Sequence, residues 1–407
     1  MSYPFVMFVV VAIFSILTSQ VVAVETSGWL PHLIRVGDGK GGWNTRRAQL
    51  QFPTARPEGE TVPLAFGGGP GNATAFGLTQ TDSGRVVFAG TWTLKGGLEN
   101  TAIAISGDRG ATWSDLRPIP GVTGRPMNLT HLGGGTLSFV TSRRYFSRDD
   151  GRTWTDSVEH PPTGVGLPFA LEGNAWVDRD ENGRAKTIFE IGWHYKPEGK
   201  LPQKDAWGFL RRSTDGGRTW HDEISPPQWK LHITHEGEAY VRGVSEGAIV
   251  RAANGDLVAA LRTDMHPRYF KQRTADHYEG TGISISKDDG KTWSSINVLY
   301  DAGRMHANLL RMGNDDLVMT LTVRIDVENG KLASYRRGCE AIVSRDHGVT
   351  WELDRKYILD EWEFYDQAHP HIGPCGHLYS VALDDGSILT AHNNYLTKVA
   401  TLIRWTP

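Results

Sequence analysis

The chain has 407 residues, with 43 Lys and Arg against 46 Asp and Glu for a net charge of −3, and its charged residues (22 %) are evenly spread. That balance leaves no electrostatic footprint for nucleic acid or an anionic membrane surface. High Gly (47) and Trp (14) suit strands and tight turns better than helices.

Residues Phe5 to Leu17 form an apolar run of thirteen, too short to span a bilayer comfortably. Val21-Val22-Ala23 follows with small residues spaced as a signal peptidase requires, although no Lys or Arg precedes the run. The reading is a signal peptide over 1–23 and a secreted or periplasmic product, with an uncleaved N-terminal anchor as the alternative. No stable membrane insertion is expected of the rest. Residues 24–407 show no linker and read as one domain. Cys339 and Cys375, the only cysteines, can pair in an oxidising compartment or stay free and buried; both readings remain open.

From residue 83 onward the chain repeats itself. Short apolar strands turn at Ser83-Gly84-Arg85, Gly134-Gly135-Thr136, Asn182-Gly183-Arg184, Asn254-Gly255-Asp256, Asn314-Asp315-Asp316 and Asp385-Gly386-Ser387. Five of these hairpins are followed by an eight-residue box holding Ser, Asp, Gly, Thr and Trp in fixed places. The boxes run Ser106 to Trp113, Ser147 to Trp154, Ser213 to Trp220, Ser286 to Trp293 and Ser344 to Trp351. The Asp can accept turn N–H groups, Gly supplies positive φ, and Trp offers surface to a neighbouring unit. Hairpin, strand, box and strand make a four-stranded unit, and six units predict an all-β, six-bladed β-propeller. The sixth unit lacks a box, so an N-terminal segment around Leu30 to Val36 is expected to supply its outer strand. Long spacings between the later boxes predict insertions on one face.

Inner strands of a propeller begin at the face that carries the ligand pocket. Nine residues before the turn centre lie Glu246 in the fourth unit and His306 in the fifth, while Tyr379 is read as the start of the sixth inner strand. The second strands bring Arg262, Arg324 and Asn393 to the same rim. An acid, an imidazole, a phenol and arginines thus converge from distant segments.

With Ser245-Glu246-Gly247, Leu261-Arg262, Arg336 eight residues before the last box, Tyr379-Ser380 and the boxes themselves, the chain resembles the sialidase (neuraminidase) superfamily of Asp-box propellers. The resemblance covers nearly everything after residue 23. It implies an exo-glycosidase acting on terminal sialic acid or a related acidic sugar of a glycan or glycoconjugate, without cofactor or metal. Tyr379 would be the nucleophile, Glu246 its base, and Arg262 and Arg336 the clamp on the substrate carboxylate. A neutral phenol avoids the repulsion an anionic nucleophile meets beside that carboxylate, and planar guanidinium groups bind it through paired hydrogen bonds.

The chain also departs from the pattern. Asn72-Ala73-Thr74-Ala75-Phe76 has no Arg where the family places its first triad Arg, and Glu99 is the only carboxylate between Trp92 and Ser106, where the general acid is expected. Arg324, with Arg143 or Arg47, is the candidate substitute for the missing Arg. The histidines His306, His369, His371 and His377 open a second reading: a hydrolase or lyase using His and Tyr on a uronic acid polysaccharide. A propeller that binds glycans without catalysis is the third.

Overall fold

The computed structural model describes residues 34–37, 43–46, 50–51, 72–93, 99–114, 116–196, 205–271, 275–363, 375–394 and 399–407. Six four-stranded antiparallel sheets follow one another along the chain, as the repeats predict. The innermost strands are Asn72–Gln80, Met127–Gly133, Trp176–Arg179, Val244–Arg251, Arg304–Arg311 and Cys375–Ala382. Among the described residues the only helical segments are two short 3₁₀ turns, Pro267–Tyr269 and Ala275–Tyr278.

The ring closes through an N-terminal strand, but not the expected one. Leu50–Gln51 pairs with Thr401 and Leu402 at the outer edge of the sixth blade. Ile34–Gly37 folds instead against Trp43–Arg46 as a separate hairpin. Pairing removes the open edge that a bare third strand would present. On the inside, Asn393 closes the same junction, its Oδ1 accepting from Ala75 N and its Nδ2 donating to Ala75 O, both at 3.0 Å. Asn393 is therefore a clamp between blades rather than a ligand-facing group. Asn174 works likewise between the third, fourth and fifth blades, donating to Ile249 O at 3.1 Å and Leu309 O at 3.0 Å, and accepting from Leu309 N at 2.8 Å.

Apolar packing lies between successive blades. Phe88 of the first blade packs with Leu389 and Leu402 of the sixth, and Ala260 of the fourth with Leu309 and Leu321 of the fifth. The boxes link third to fourth strands. In the Ser286 box, Gly290 N donates to Ser286 Oγ at 2.8 Å. Thr292 N and Oγ1 donate to the two Asp288 oxygens at 2.8 and 2.6 Å. Hydrogen bonds from Thr292 hold the Asp288 carboxyl down at about 2. In the first five blades the third strand ends in its box and begins at the opposite rim, so the boxes and the rim of Glu246 lie at opposite ends of the sheets. Two extra hairpins, Leu231–His235 with Glu238–Arg242 and Asp326–Glu328 with Lys331–Ser334, leave from strand ends at the Glu246 rim. That is the one-sided decoration the box spacings predict.

Candidate active site

The inner strands of the fourth and fifth blades open with a β-bulge, the register slipping between Ser245 and Ala248 and between Met305 and Asn308. Within the bulges Glu246 and His306 hold φ of 42° and 52°. Side chains with a Cβ persist there only where the surroundings impose it, at a cost of about 1–3 kcal/mol. A bulge re-aims the side chain it carries, and here the two meet, Glu246 Oε2 lying 2.8 Å from His306 Nδ1.

The other Glu246 oxygen is taken by Arg262, from the end of the fourth blade's second strand (Leu257–Thr263). Arg262 also pairs with Glu279, immediately ahead of the third strand (Gly280–Ser286). Arg324, just past the fifth blade's second strand (Leu317–Val323), places Nη2 3.3 Å from His306 Nε2. Beyond the imidazole, Glu172 Oε2 stands 3.3 Å from His306 Nδ1 and 3.5 Å from His377 Nδ1. The two imidazole rings are 4.6 Å apart and cross at 68°. Phe76 backs His377 at 5.4 Å, and the exposed Arg125 lies over Phe76. Glu172, His377 and Arg125, with Met127, Val140 and Phe169, line a cavity of about 230 Å³. All six blades, or the segments leading into them, therefore contribute to one locus.

The charges are strongly perturbed. Burial raises the Glu172 carboxyl above its ordinary range, and the neighbouring Glu246 charge adds to this. For Glu246 burial acts in the same direction, but Arg262 and His306 outweigh it and hold the carboxyl below the usual carboxylate range. Burial, with the His306 charge second, pushes His377 well below its ordinary value. Burial opposes protonation of His306 too, yet the Glu246 charge wins and raises it. Arg324 can only donate, so its approach to Nε2 assigns a proton to His306 Nδ1, facing both carboxylates.

Glu172, His306 and His377 each offer one ligand atom within 4.8 Å of the others, a spacing that one metal ion could span. The same three side chains also stand close enough to exchange protons with one another.

Of the residues singled out in the sequence, Glu246, Arg262, His306 and Arg324 come together. Tyr379 stands beside the locus, its ring 6.5 Å from that of His377. Counted from the hairpin turn, the sixth-blade equivalent of Glu246 and His306 is His377, because the strand begins at Cys375. Tyr379 lies two residues deeper, buried, with its hydroxyl 3.9 Å from Met127 Sδ, while Glu246 is engaged by Arg262 and His306. Arg336 lies elsewhere. It pairs with Asp326 at 2.8 Å and Glu340 at 3.1 Å, bracing the fifth blade's extra hairpin. Arg143 is exposed and donates to Ser157 Oγ at 3.1 Å. Glu99 begins a third strand at the Glu246 rim, but its side chain, like that of Cys375, lies outside the described residues, as do Arg47, His369 and His371. Cys339 is buried in the fifth blade.

Sequence reasoning passes over Glu172, Glu279 and Arg125. Register from the turn assigns Asn174 to the Glu246 position in the third blade, so Glu172 falls two residues upstream of the count. Its one sequence signal is the dipeptide Glu172-Gly173, which echoes Glu246-Gly247. Close packing demands both glycines. A Cβ on Gly173 would stand 2.3 Å from Gly247 O, and one on Gly247 would stand 2.4 Å from Ile191 Cγ2.

No family model matches the chain. A sialidase from Bacteroides fragilis is 24 % identical over 276 residues, 53 % of this chain and 48 % of that protein, so the chain spans about half the length of the curated relative it matches. A protein of unknown function from Dyadobacter fermentans superposes on 82 % of this chain and 95 % of its own with a TM-score of 0.57 at 17 % identity, which shows a shared fold. The GH93 α-L-arabinofuranosidase of Fusarium graminearum gives a TM-score of 0.47 at 12 % identity, over 84 % of this chain and 96 % of that one.

Proposed function

We propose that this chain, a propeller of the sialidase-like superfamily, is an exported glycoside hydrolase that removes a terminal acidic sugar, sialic acid or a related one, from glycans. The observation that carries the reading is the convergence of Glu172, Glu246, His306, His377 and Arg262 from four blades beside one cavity. Ring architecture alone would not carry it, since one fold hosts many activities.

In this reading Glu246 is the base, kept ionised by Arg262 and held in place by His306. Arg125 at the cavity wall, with Arg324 behind His306, supplies positive charge for an anionic substrate. A water is the attacking group in this reading, with the Tyr379 phenol, its hydroxyl 3.9 Å from Sδ of the cavity-lining Met127, as the alternative nucleophile. Export rests on residues 1–23, which lie outside the described residues. Among the described residues no helix is long and apolar enough to cross a membrane.

The test is hydrolysis of fluorogenic sialosides and uronides by the wild type and Glu246→Gln. Loss of general-base catalysis predicts a fall of about 10²–10⁴ in kcat with the fold retained. Equal rates would remove the base. Tyr379→Phe should stay within about threefold of the wild type; a loss on the scale of general-base catalysis would return the attack to the phenol. One observation favours a second reading. His377 is held neutral at the cavity wall, as a base that abstracts a proton beside a uronic acid carboxylate must be. An unsaturated, ultraviolet-absorbing sugar among the products would make the chain a lyase.

A further inference from the structure

Both carboxylates of the locus approach the same imidazole nitrogen, and they differ in what encloses them. Glu246 is 3 % exposed and enclosed by Arg262 and His306. The Glu172 side chain is 19 % exposed and lines the cavity wall next to His377. Building on the hydrolase reading, we infer that Glu172 is the group that protonates the leaving-group oxygen, and that His306 joins it to Glu246 as one proton-sharing unit.

The geometry supplies each part. Hydrolysis needs a proton for the departing oxygen and a base for the attacking water, and the two groups must hold opposite protonation states at the start. Glu172 faces the reactant side and has no guanidinium among its described contacts. Around it stand His306, His377, the more distant Glu246 charge and Arg262. Glu246 has Arg262 directly on one oxygen. One carboxyl is thus stabilised as the acid and the other as the anion, which is how environment divides roles between paired carboxylates. The directions of their shifts agree with that division.

The proton balance closes. The Glu172 O–H gives its proton to the glycosidic oxygen as the C–O bond breaks, the bonding pair leaving on oxygen to make the free alcohol. Water adds its oxygen to the anomeric carbon and gives one proton to Glu246 Oε2, from which His306 Nδ1, 2.8 Å away, takes it up as it hands its own proton on. That proton returns to Glu172 across the 3.3 Å between His306 Nδ1 and Glu172 Oε2. One water is consumed, and both carboxyls end as they began.

The experiment compares Glu172→Gln with the wild type on two substrates of the same sugar, an aryl glycoside with a strongly acidic phenol as leaving group and a glycan whose leaving group is an ordinary sugar hydroxyl. An acidic phenol departs without a proton and a sugar hydroxyl does not. Glu172→Gln is expected to lose about 10²–10⁴ in kcat on the glycan, as removal of a general acid does, and less than tenfold on the aryl glycoside. The alkaline limb of the kcat/KM profile should vanish with it. Equal losses on both substrates, with a circular dichroism spectrum matching the wild type, would overturn the acid assignment while leaving the hydrolase reading intact. A wild type inactive on every glycan offered would take both down. Should Glu172→Gln fail to fold, Glu172→Asp, which keeps the carboxyl and withdraws it from the substrate, must show the same leaving-group dependence.

Discussion

Two carboxylates are buried to nearly the same depth in adjacent blades, and each sits between two basic side chains. Glu190, in the third blade's second strand (Ala185–Tyr195), accepts from Arg144 Nη2 at 2.5 Å and Arg211 Nε at 2.8 Å. Arg144 and Arg211 stack at 4.6 and 4.7 Å on Trp220, and Phe169 covers Arg211 at 3.6 Å. Glu190 lies in regular strand with both oxygens hydrogen-bonded. Glu246 differs on each count. Its backbone holds φ of 42°, its Oε2 makes no well-aligned hydrogen bond, and its second basic neighbour is an imidazole that can give its proton up. A fully satisfied carboxylate in relaxed backbone staples two blades. An under-satisfied one in strained backbone, beside a cavity, has chemistry left to do.

The largest expected effects separate the two sites most sharply. Glu190→Gln leaves two buried guanidiniums facing an amide and should cost about 3–5 kcal/mol in urea unfolding, with kcat per folded molecule unchanged. Glu246→Gln should lose turnover and cost less stability than Glu190→Gln, because Glu279 still pairs with Arg262. If Glu190→Gln abolished turnover at full stability, the staple would have to be reassigned as part of the site. Acid sharpens the contrast. Although burial opposes it, Arg144 and Arg211 lower the Glu190 carboxyl below its ordinary 4.5. Its contribution is therefore complete above about pH 4.5 and lost as pH falls towards the lowered folded value. The stability gap between wild type and Glu190→Gln should shrink steadily as the solution is acidified from pH 5. A gap that held constant would mean that the carboxylate charge does not hold the staple.

Phe169 connects the two regions, since one of its faces covers Arg211 and it also lines the cavity. Gly192 keeps it in place, because a Cβ there would fall 2.1 Å from Phe169 Cε1. Gly192→Ala must displace the ring, at about 1–3 kcal/mol as overpacking usually costs. It should raise KM with kcat nearly constant, because the cavity wall moves and the carboxylates do not. An unaltered KM would show that substrate never meets that wall.

What the sequence made legible follows its periodicity. Five boxes and six hairpin turns specify blade number, strand order and the end at which the inner strands open, since each rests on local turn chemistry that repeats. Counting from those turns reaches Glu246 and His306 because their strands carry the same bulge at the same distance from the turn. The same count reaches His377, and Tyr379 is chosen only if the strand is taken to begin late. Arg336 stands where the resemblance puts a clamp, but the extra hairpin supplies Asp326 and captures it, which no local pattern announces. Glu172 eludes the count because the third inner strand is short and Asn174 takes the equivalent place. Asn128-Leu129-Thr130 fits the pattern of an N-glycosylation acceptor, but burial closes it, Asn128 Nδ2 donating to Gly173 O at 3.1 Å.

The smallest effect belongs to the end of the blade farthest from the site. Ser286 Oγ accepts from Gly290 N at 2.8 Å and donates to Asp288 at 2.9 Å, so Ser286→Ala leaves one buried N–H without its partner. Such a loss costs about 1–3 kcal/mol when no water replaces it. The box turn opens to solvent at Lys287, Lys291 and Thr292, so water can enter and the expected cost is near 1 kcal/mol. The fourth blade carries both this box and Glu246, at opposite ends of the same strands. If the strands transmit nothing, kcat and KM of Ser286→Ala will match the wild type while the urea midpoint drops slightly. A change in kcat would show that the bulge at Glu246 depends on the box for its register, and the separation between scaffold and site would no longer hold within that blade.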